Sequence, residues 1–285
     1  MASMQREVRN AMTIDVEDYF QVSAFEKHIP RSSWEHLPCR IEHNLDVILG
    51  MMENYGVKGT FFTLGWIARR YPALVHRIVA AGHELASHGY AHGRANEQSR
   101  AEFSEDVRSA KQLLEDIAGV RVNGYRAPSF SIGTVNLWAL DCLAEAGYVY
   151  SSSIYPIRHD HYGMPDAPRF PHRPASTSTL LEIPVTTVRI GSHNLPAGGG
   201  GYFRLLPYSV SRACLRRVNR KDGKPCVFYF HPWEIDPEQP RQLGISVRTR
   251  FRHYTNLSRM RPRIERLMRD FHWDRMDRIF IEGNA

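Results

Sequence analysis

The 285 residues include only four cysteines, Cys39, Cys142, Cys214 and Cys226, and none of them form a CxxC pair. This spacing excludes a zinc ribbon or a dithiol redox motif and reads as ordinary thiols in a reducing compartment. No apolar run approaches the roughly 18 residues a spanning helix needs, and the first ten residues are polar, without the apolar core of an export signal. A soluble, cytoplasmic protein is the expectation. Repeats and low-complexity blocks are missing, apart from four consecutive glycines, Gly198 to Gly201. No Lys-Ser/Thr follows them, so the phosphate-cradling Walker pattern is excluded and a flexible substrate-side loop or tight turn is expected. Lysine is also scarce: 32 of the 37 basic residues are arginine.

The formal net charge is +7, and the excess concentrates between Arg241 and Arg278. Arginine favours fixed-geometry contacts with phosphate and carboxylate. The charge therefore points to an anionic partner: a membrane surface, a lipid phosphate or an acidic polymer. No nucleic-acid-binding motif accompanies it, so nucleic acid is not expected.

Short apolar strands alternate with amphipathic helices along the chain. Strands are expected at Asn10–Ile14, Lys58–Leu64, His83–Ala86, Tyr148–Tyr150, Leu180–Val188 (interrupted by Pro184) and Cys226–Phe230. Helices are expected at Cys39–Tyr55, Gly65–Ala81, Asn96–Ile117, Val135–Ala146, Pro207–Asn219 and Leu257–His272. Such alternation is the pattern of a parallel sheet wrapped by helices, an α/β fold.

Chemistry-bearing residues fall at the ends of these strands, where a parallel α/β fold gathers its functional groups. The first strand runs into Asp15-Val16-Glu17-Asp18. On an extended strand Asp15 and Glu17 share one face and Asp18 points away. The third strand runs into His88-Gly89-Tyr90-Ala91-His92, where a helical turn would place both imidazoles on one side. Arg126 precedes Ala127-Pro128, and His231 follows the apolar strand Cys226–Phe230. Two histidines and one carboxylate make a three-ligand metal site with open positions. A second carboxylate then remains as general base, His231 as general acid, and Arg126 as the partner of the base carboxylate. This is an inventory for metal-assisted hydrolysis of an amide or ester.

These motifs, in this order over roughly residues 10 to 275, resemble the polysaccharide deacetylases of the NodB-homology class, carbohydrate esterase family 4. The segments Tyr19–Phe25 and Gly198–Arg204 resemble its exosortase-associated, exopolysaccharide-linked branch. The resemblance implies a distorted (β/α)7 barrel, here a single domain over residues 1–285 with a C-terminal extension from about residue 240 packed on it. It also implies a divalent metal, commonly zinc, and removal of N-acetyl groups from a polysaccharide or lipid-linked saccharide. By that resemblance Asp15 is the base, His88 and His92 are metal ligands, and Arg126 orients Asp15. His231 is then the acid, and Pro128 belongs to the substrate-side motif. The third ligand is Glu17 or Asp18, because the family's adjacent Asp-Asp is absent. Tyr19 and Trp233 are candidates for stacking on a sugar face, and Tyr202 and Arg204 for substrate contact or for anchoring the glycine loop. One departure stands out. The family often has an aspartate after the strand that corresponds to Tyr148–Tyr150, where it supports the acid histidine, and this chain has Ser151, so Asp160 or Asp166 would have to fold back. Two rival readings are a small-molecule amide or ureide hydrolase of the allantoinase-like branch and a non-catalytic carbohydrate-binding protein.

Overall fold

The first strand, β1 (Arg9–Val16), is buried at every position after the first, although polar and apolar residues alternate along it. Both of its faces are therefore covered, as in parallel α/β sheets. Met12, Ile14 and Val16 belong to an outer apolar layer. Ala11 packs in a separate inner cluster, and Thr13 and Asp15 bond a buried arginine. The computed structural model that shows this describes residues 8–284 except His161 and Ser178.

The other strands are β2 (Thr60–Thr63), β3 (Glu84–Ser87), β4 (Gly124–Tyr125), β5 (Tyr150–Ser151), β6 (Leu181–Glu182), β7 (Thr187–Ile190), β8 (His193–Pro196), β9 (Val227–Phe230) and β10 (His272–Asp274). The helices are α1 (Ile41–Asn54), α2 (Gly65–Arg70), α3 (Pro72–Ala80), α4 (Arg100–Ala118), α5 (Trp138–Glu145), α6 (Gly200–Leu205), α7 (Tyr208–Arg217), α8 (Val247–Tyr254) and α9 (Leu257–Asp270). Parallel pairing runs β1-β2-β3-β4-β5-β6, and β9 pairs with the other edge of β1. Seven parallel strands thus curl into a distorted barrel of the NodB type. The last strand, β10, pairs with Arg9–Ala11 ahead of the register taken by β2, so the end of the chain joins the same sheet. β7 and β8 form an antiparallel hairpin outside it.

The barrel closes without a regular ladder between β6 and β9. Thr186 N–H donates to Val227 O at 3.3 Å, and Tyr229 N–H donates to Gly198 O at 2.7 Å. The glycine run makes this seam and opens α6, so of the two forms expected, a flexible substrate-side loop or a tight turn, it is not the flexible loop but built structure against β9. Gly199 has φ 117°, and a Cβ there would lie 2.0 Å from Tyr229 O. Gly199→Ala should therefore cost more than about 3 kcal/mol, from backbone strain and overpacking together. A drop in urea midpoint would show it, and a midpoint within experimental error of wild type would refute it.

The outer layer holds Ile41, Leu45 and Ile48 of α1 and Met260, Ile264 and Leu267 of α9, packed on β1, β2 and β9. α4 starts from a reciprocal capping box of Ser99 and Glu102 and stops at Gly119 in the left-handed region, φ 66°. Two local expectations change and one is met. The helix expected over Gly65–Ala81, with Pro72 as a local kink or a first-turn residue, is two helices: Tyr71 leaves helical geometry (φ −130°) and Pro72 opens α3 as its first residue. The strand expected over Leu180–Val188 with an interruption at Pro184 is indeed broken there into β6 and β7, because proline has no N–H for a ladder. His88 and His92 are not on a helical turn. The chain leaves β3 irregularly, with Gly89 at φ 76° and His92 at φ 55°.

Candidate active site

Period-two alternation on β1 puts Asp15 on the inner face at the strand's carboxyl end, and Glu17 follows on the same side. Glu17 Oε2 lies 2.8 Å from His92 Nε2, and ligand atoms of Glu17, His88 and His92 all lie within 4.8 Å of one another. The loop after β3 brings the two imidazoles together with centroids 5.5 Å apart. His88 Nδ1 is 2.8 Å from Arg126 O, an outer bond that turns its Nε2 inward. Glu17 Oε2 is buried and accepts no hydrogen bond despite its nearness to His92. A buried, unsatisfied carboxylate oxygen facing two imidazoles is an unfavourable arrangement for protein alone and a fitting one for a divalent cation.

Asp18 is not part of this group. Its Oδ2 accepts the Arg40 N–H at 2.6 Å and the Ile41 N–H at 3.0 Å, and its Oδ1 accepts the Tyr19 N–H at 2.8 Å. It caps α1, whose own N-cap residue, Arg40, offers no side-chain acceptor. Of the two acids left open as ligand, the geometry selects Glu17.

Asp15 Oδ1 accepts a 2.6 Å hydrogen bond from Arg126 Nη1, which also donates to Thr13 Oγ1 at 2.8 Å. Arg126 has no exposed surface. Its other donors reach Ser152 O and Ser152 Oγ, and Phe62 lies 4.1 Å from the guanidinium carbon. The arginine is thus held from several sides and aims one N–H at Asp15. The Arg126 motif then bends sharply: Ser129 and Phe130 both sit in the left-handed region, at φ 55° and 51°. Consecutive non-glycine residues there are strained, and such strain is characteristic of functional loops. Pro128 is buried beneath this bend.

His231 leaves β9 with Nε2 3.2 Å from Glu17 Oε1 and 3.9 Å from Asp15 Oδ2. On its far side Nδ1 meets Glu234 Oε2 at 3.0 Å, and Glu234 Oε1 accepts from Arg204 Nε at 2.7 Å. The carboxylate behind this histidine is therefore neither of the aspartates expected to fold back. Asp160 pairs with Arg248 and Arg252 on the surface. Ser151 Oγ bonds Ser153 Oγ at 2.8 Å, inside the barrel. The sequence signal for Glu234 was its place three residues after His231, in a turn where backbone and side chain close on each other.

Arg204 does not line the cleft. It is buried, and its Nη donors hold the carbonyl oxygens of Arg252, His253 and Thr255 at 2.8–2.9 Å. Tyr19 is also buried, edge-on to Phe20, so it offers no sugar-stacking face. Trp233 is sandwiched between His231 (5.2 Å, 19°) and His253 (4.2 Å, 11°). Its Nε1 approaches Glu17 Oε1 at 3.5 Å, so it braces the site from behind. Tyr202 is half-buried.

Burial disfavours a charged Glu17, yet the adjacent His92 and His231 hold its pKa down to about 2. Burial lowers His88 to about 4, which leaves its imidazole neutral and ready as a ligand at ordinary pH. Burial would lower His231 too, but Glu17, Glu234 and Asp15 outweigh it and lift it to about 9 in the metal-free site. A histidine pKa raised on folding stabilises fully below its unfolded value of about 6.5, and the benefit is lost as pH rises through about 9. Metal-free wild type should therefore exceed His231→Asn in urea midpoint at pH 6, and the gap should close by pH 10. A gap independent of pH would contradict this.

Residues 33–151 match the family model described as polysaccharide deacetylase, and residues 152–281 match one described as a domain of unknown function, DUF3473. A peptidoglycan-N-acetylglucosamine deacetylase of Bacillus cereus is 31% identical over 81 residues, 28% of this chain and 30% of that protein. The chain thus spans about a third of that relative's length. A structure from Mycobacterium smegmatis, described provisionally as a polysaccharide deacetylase, superposes with a TM-score of 0.62 at 20% identity over 96% of this chain and 90% of that one. A Bacillus anthracis pseudoenzyme of carbohydrate esterase family 4 superposes at 0.52 with 13% identity, over 96% of this chain and 66% of that one. Those two likenesses establish the fold, and a fold by itself does not fix an activity. The boundary between the two matched regions falls just after β5, inside the barrel, and Arg126 and the histidine pair come from one side of it while His231, Glu234 and Arg204 come from the other. Residues 33–151 are thus similar to the polysaccharide deacetylases, and the region matching DUF3473 supplies the remaining strands of the same barrel.

Proposed function

We propose that this protein is a metal-dependent deacetylase that hydrolyses N-acetyl groups of a polysaccharide or lipid-linked saccharide. The observation that carries the reading is the convergence of three units at one barrel mouth. These are a buried Glu17–His88–His92 donor set, an Asp15 carboxylate oriented by Arg126, and His231 with its Nε2 toward both acids.

Glu17, His88 and His92 would hold the cation, with zinc matching the imidazole and carboxylate donors. Bound there, it supplies polarisation of the acyl oxygen and a lowered pKa for water. Asp15 is the base: Arg126 occupies Oδ1 and leaves Oδ2, the oxygen nearer His231, to take the proton of the attacking water. His231 then donates its Nε2 proton to the leaving amine. Trp233, stacked on His231, keeps the imidazole plane in place and covers Glu17 from solvent. A role in exopolysaccharide synthesis is supported by the resemblance of Tyr19–Phe25 and Gly198–Arg204 to that branch.

The test is acetate release from N-acetylated oligosaccharides by protein of measured metal content. We expect release that chelation abolishes and zinc restores. Release from no N-acetylated saccharide, with hydrolysis of a cyclic ureide instead, would replace this reading with the small-molecule one. A metal-loaded protein that binds oligosaccharide without releasing acetate would make it a non-catalytic binder.

A further inference from the structure

Glu234 and Arg204 form an ion pair with almost no contact with water: side-chain exposure is 0% for Glu234 and 2% for Arg204. Such pairs rarely add stability, because desolvating both charges offsets their attraction. The geometry gives this one another use. Glu234 Oε2 receives the His231 backbone N–H at 3.0 Å and lies 3.0 Å from Nδ1 of the same residue. One oxygen thus grips His231 at two points and limits rotation of the imidazole. An ionised carboxylate only accepts hydrogen bonds, so Nδ1 must carry the hydrogen and Nε2 is left facing Glu17 and Asp15. Arg204 occupies the other oxygen, and carbonyl groups at the end of α8 hold Arg204 in turn. Ser151 presents no carboxylate at this point in the barrel.

We propose that Glu234, held by Arg204, is the positioning residue that sets the tautomer and orientation of His231, in place of an acid after β5. The proposal rests on His231 acting at the cleft, and its test separates the two. In protein labelled with 15N-histidine, the proton balance between the two ring nitrogens of wild-type His231 should favour Nδ1, the one bonded to Glu234. Glu234→Gln, which can turn an amide N–H toward Nδ1, should shift that balance. With metal loaded, it should lower kcat about 100-fold with little change in KM or metal content. The double variant E234M/R204M removes both charges together, so no unpaired charge is buried. It should melt cooperatively and show the same loss of kcat. An altered tautomer in a protein that releases no acetate upholds the positioning role and fails only the deacetylase reading. An unaltered tautomer and unaltered kcat in folded E234Q overturn the proposal.

A second surface stands on different observations. From Gln239 to Ile264 the chain has seven arginines and no acidic residue. Within it Leu243, Val247 and Phe251, spaced four apart, are 77%, 84% and 57% exposed. Arg241 and Arg250 border this stripe, while the buried face of α8 presents His253 to Trp233. Asp160 pairs with Arg248 and Arg252 of this helix, which leaves Arg241 and Arg250 to fringe the apolar stripe, and such a shallow surface complements an anionic bilayer. We infer that α8 and the segment before it dock on anionic lipid, beside the barrel mouth. Vesicles of phosphatidylcholine with phosphatidylglycerol should sediment the protein, pure phosphatidylcholine should not, and 0.5 M salt should release it. The variant V247S/F251S should bind about tenfold more weakly with unchanged release from soluble oligosaccharide. Equal binding by the variant, binding to neither vesicle, or self-association through the stripe would overturn the inference.

Discussion

Replacing Asp15 by asparagine should lower acetate release by about 1000-fold, within the range expected when a positioned general base is removed, and leave metal content unchanged. The separation follows from the geometry. Asp15 touches Arg126 and His231, whereas the donor set is Glu17, His88 and His92. Asparagine keeps an oxygen for Arg126 but cannot take a proton. It also leaves the guanidinium buried without its counter-charge, so a loss of about 3 kcal/mol in stability should accompany the lost activity. Acetate release, bound zinc and urea unfolding, measured on one preparation, test all three parts. Comparable release from wild type and D15N would remove Asp15 from the base role.

The second large effect separates two adjacent acids. Glu17→Ala should abolish stoichiometric metal binding and, with it, activity. Asp18→Ala should retain the metal and lose about 1 kcal/mol of stability, the usual effect of deleting a helix cap, or somewhat more because the α1 donors are buried. Equilibrium dialysis with zinc and urea unfolding distinguish the two outcomes. Metal retained at full stoichiometry in both variants would defeat the single-acid ligand set.

Much of this site was legible because its residues stand at fixed offsets from strands. The alternation along β1 already places Asp15 and Glu17 on one side and Asp18 on the other, since side-chain direction on a strand has a period of two. The apolar run Cys226–Phe230 likewise announces that His231 emerges at a strand end. Where local signals compete, the reading fails. The histidine spacing of four suits a helix, but the tight exit from β3 required left-handed residues. The glycine run left a flexible loop and a tight turn both open, because its packing partner, the β9 backbone, lies about 30 residues away in sequence. Tyr19 reads as a candidate for stacking on a sugar and Arg204 as either a substrate contact or an anchor of the glycine loop, and only segments remote in the chain enclose both.

By itself, the sequence determined the α/β class and which residue types gather at the carboxyl ends of the strands. These follow from hydrophobic periodicity and strand geometry, which act over a few residues. Only the tertiary structure decided the choice of Glu17 over Asp18, the seam sealed by Gly198 and Gly199, and the carboxylate behind His231. Each depends on a partner far along the chain: α1 for Asp18, β9 for the glycines, and Arg204 with the end of α8 for Glu234. No local pattern encodes which distant donor will satisfy a buried acceptor. That pairing is settled when the barrel closes and every buried polar group must find its partner.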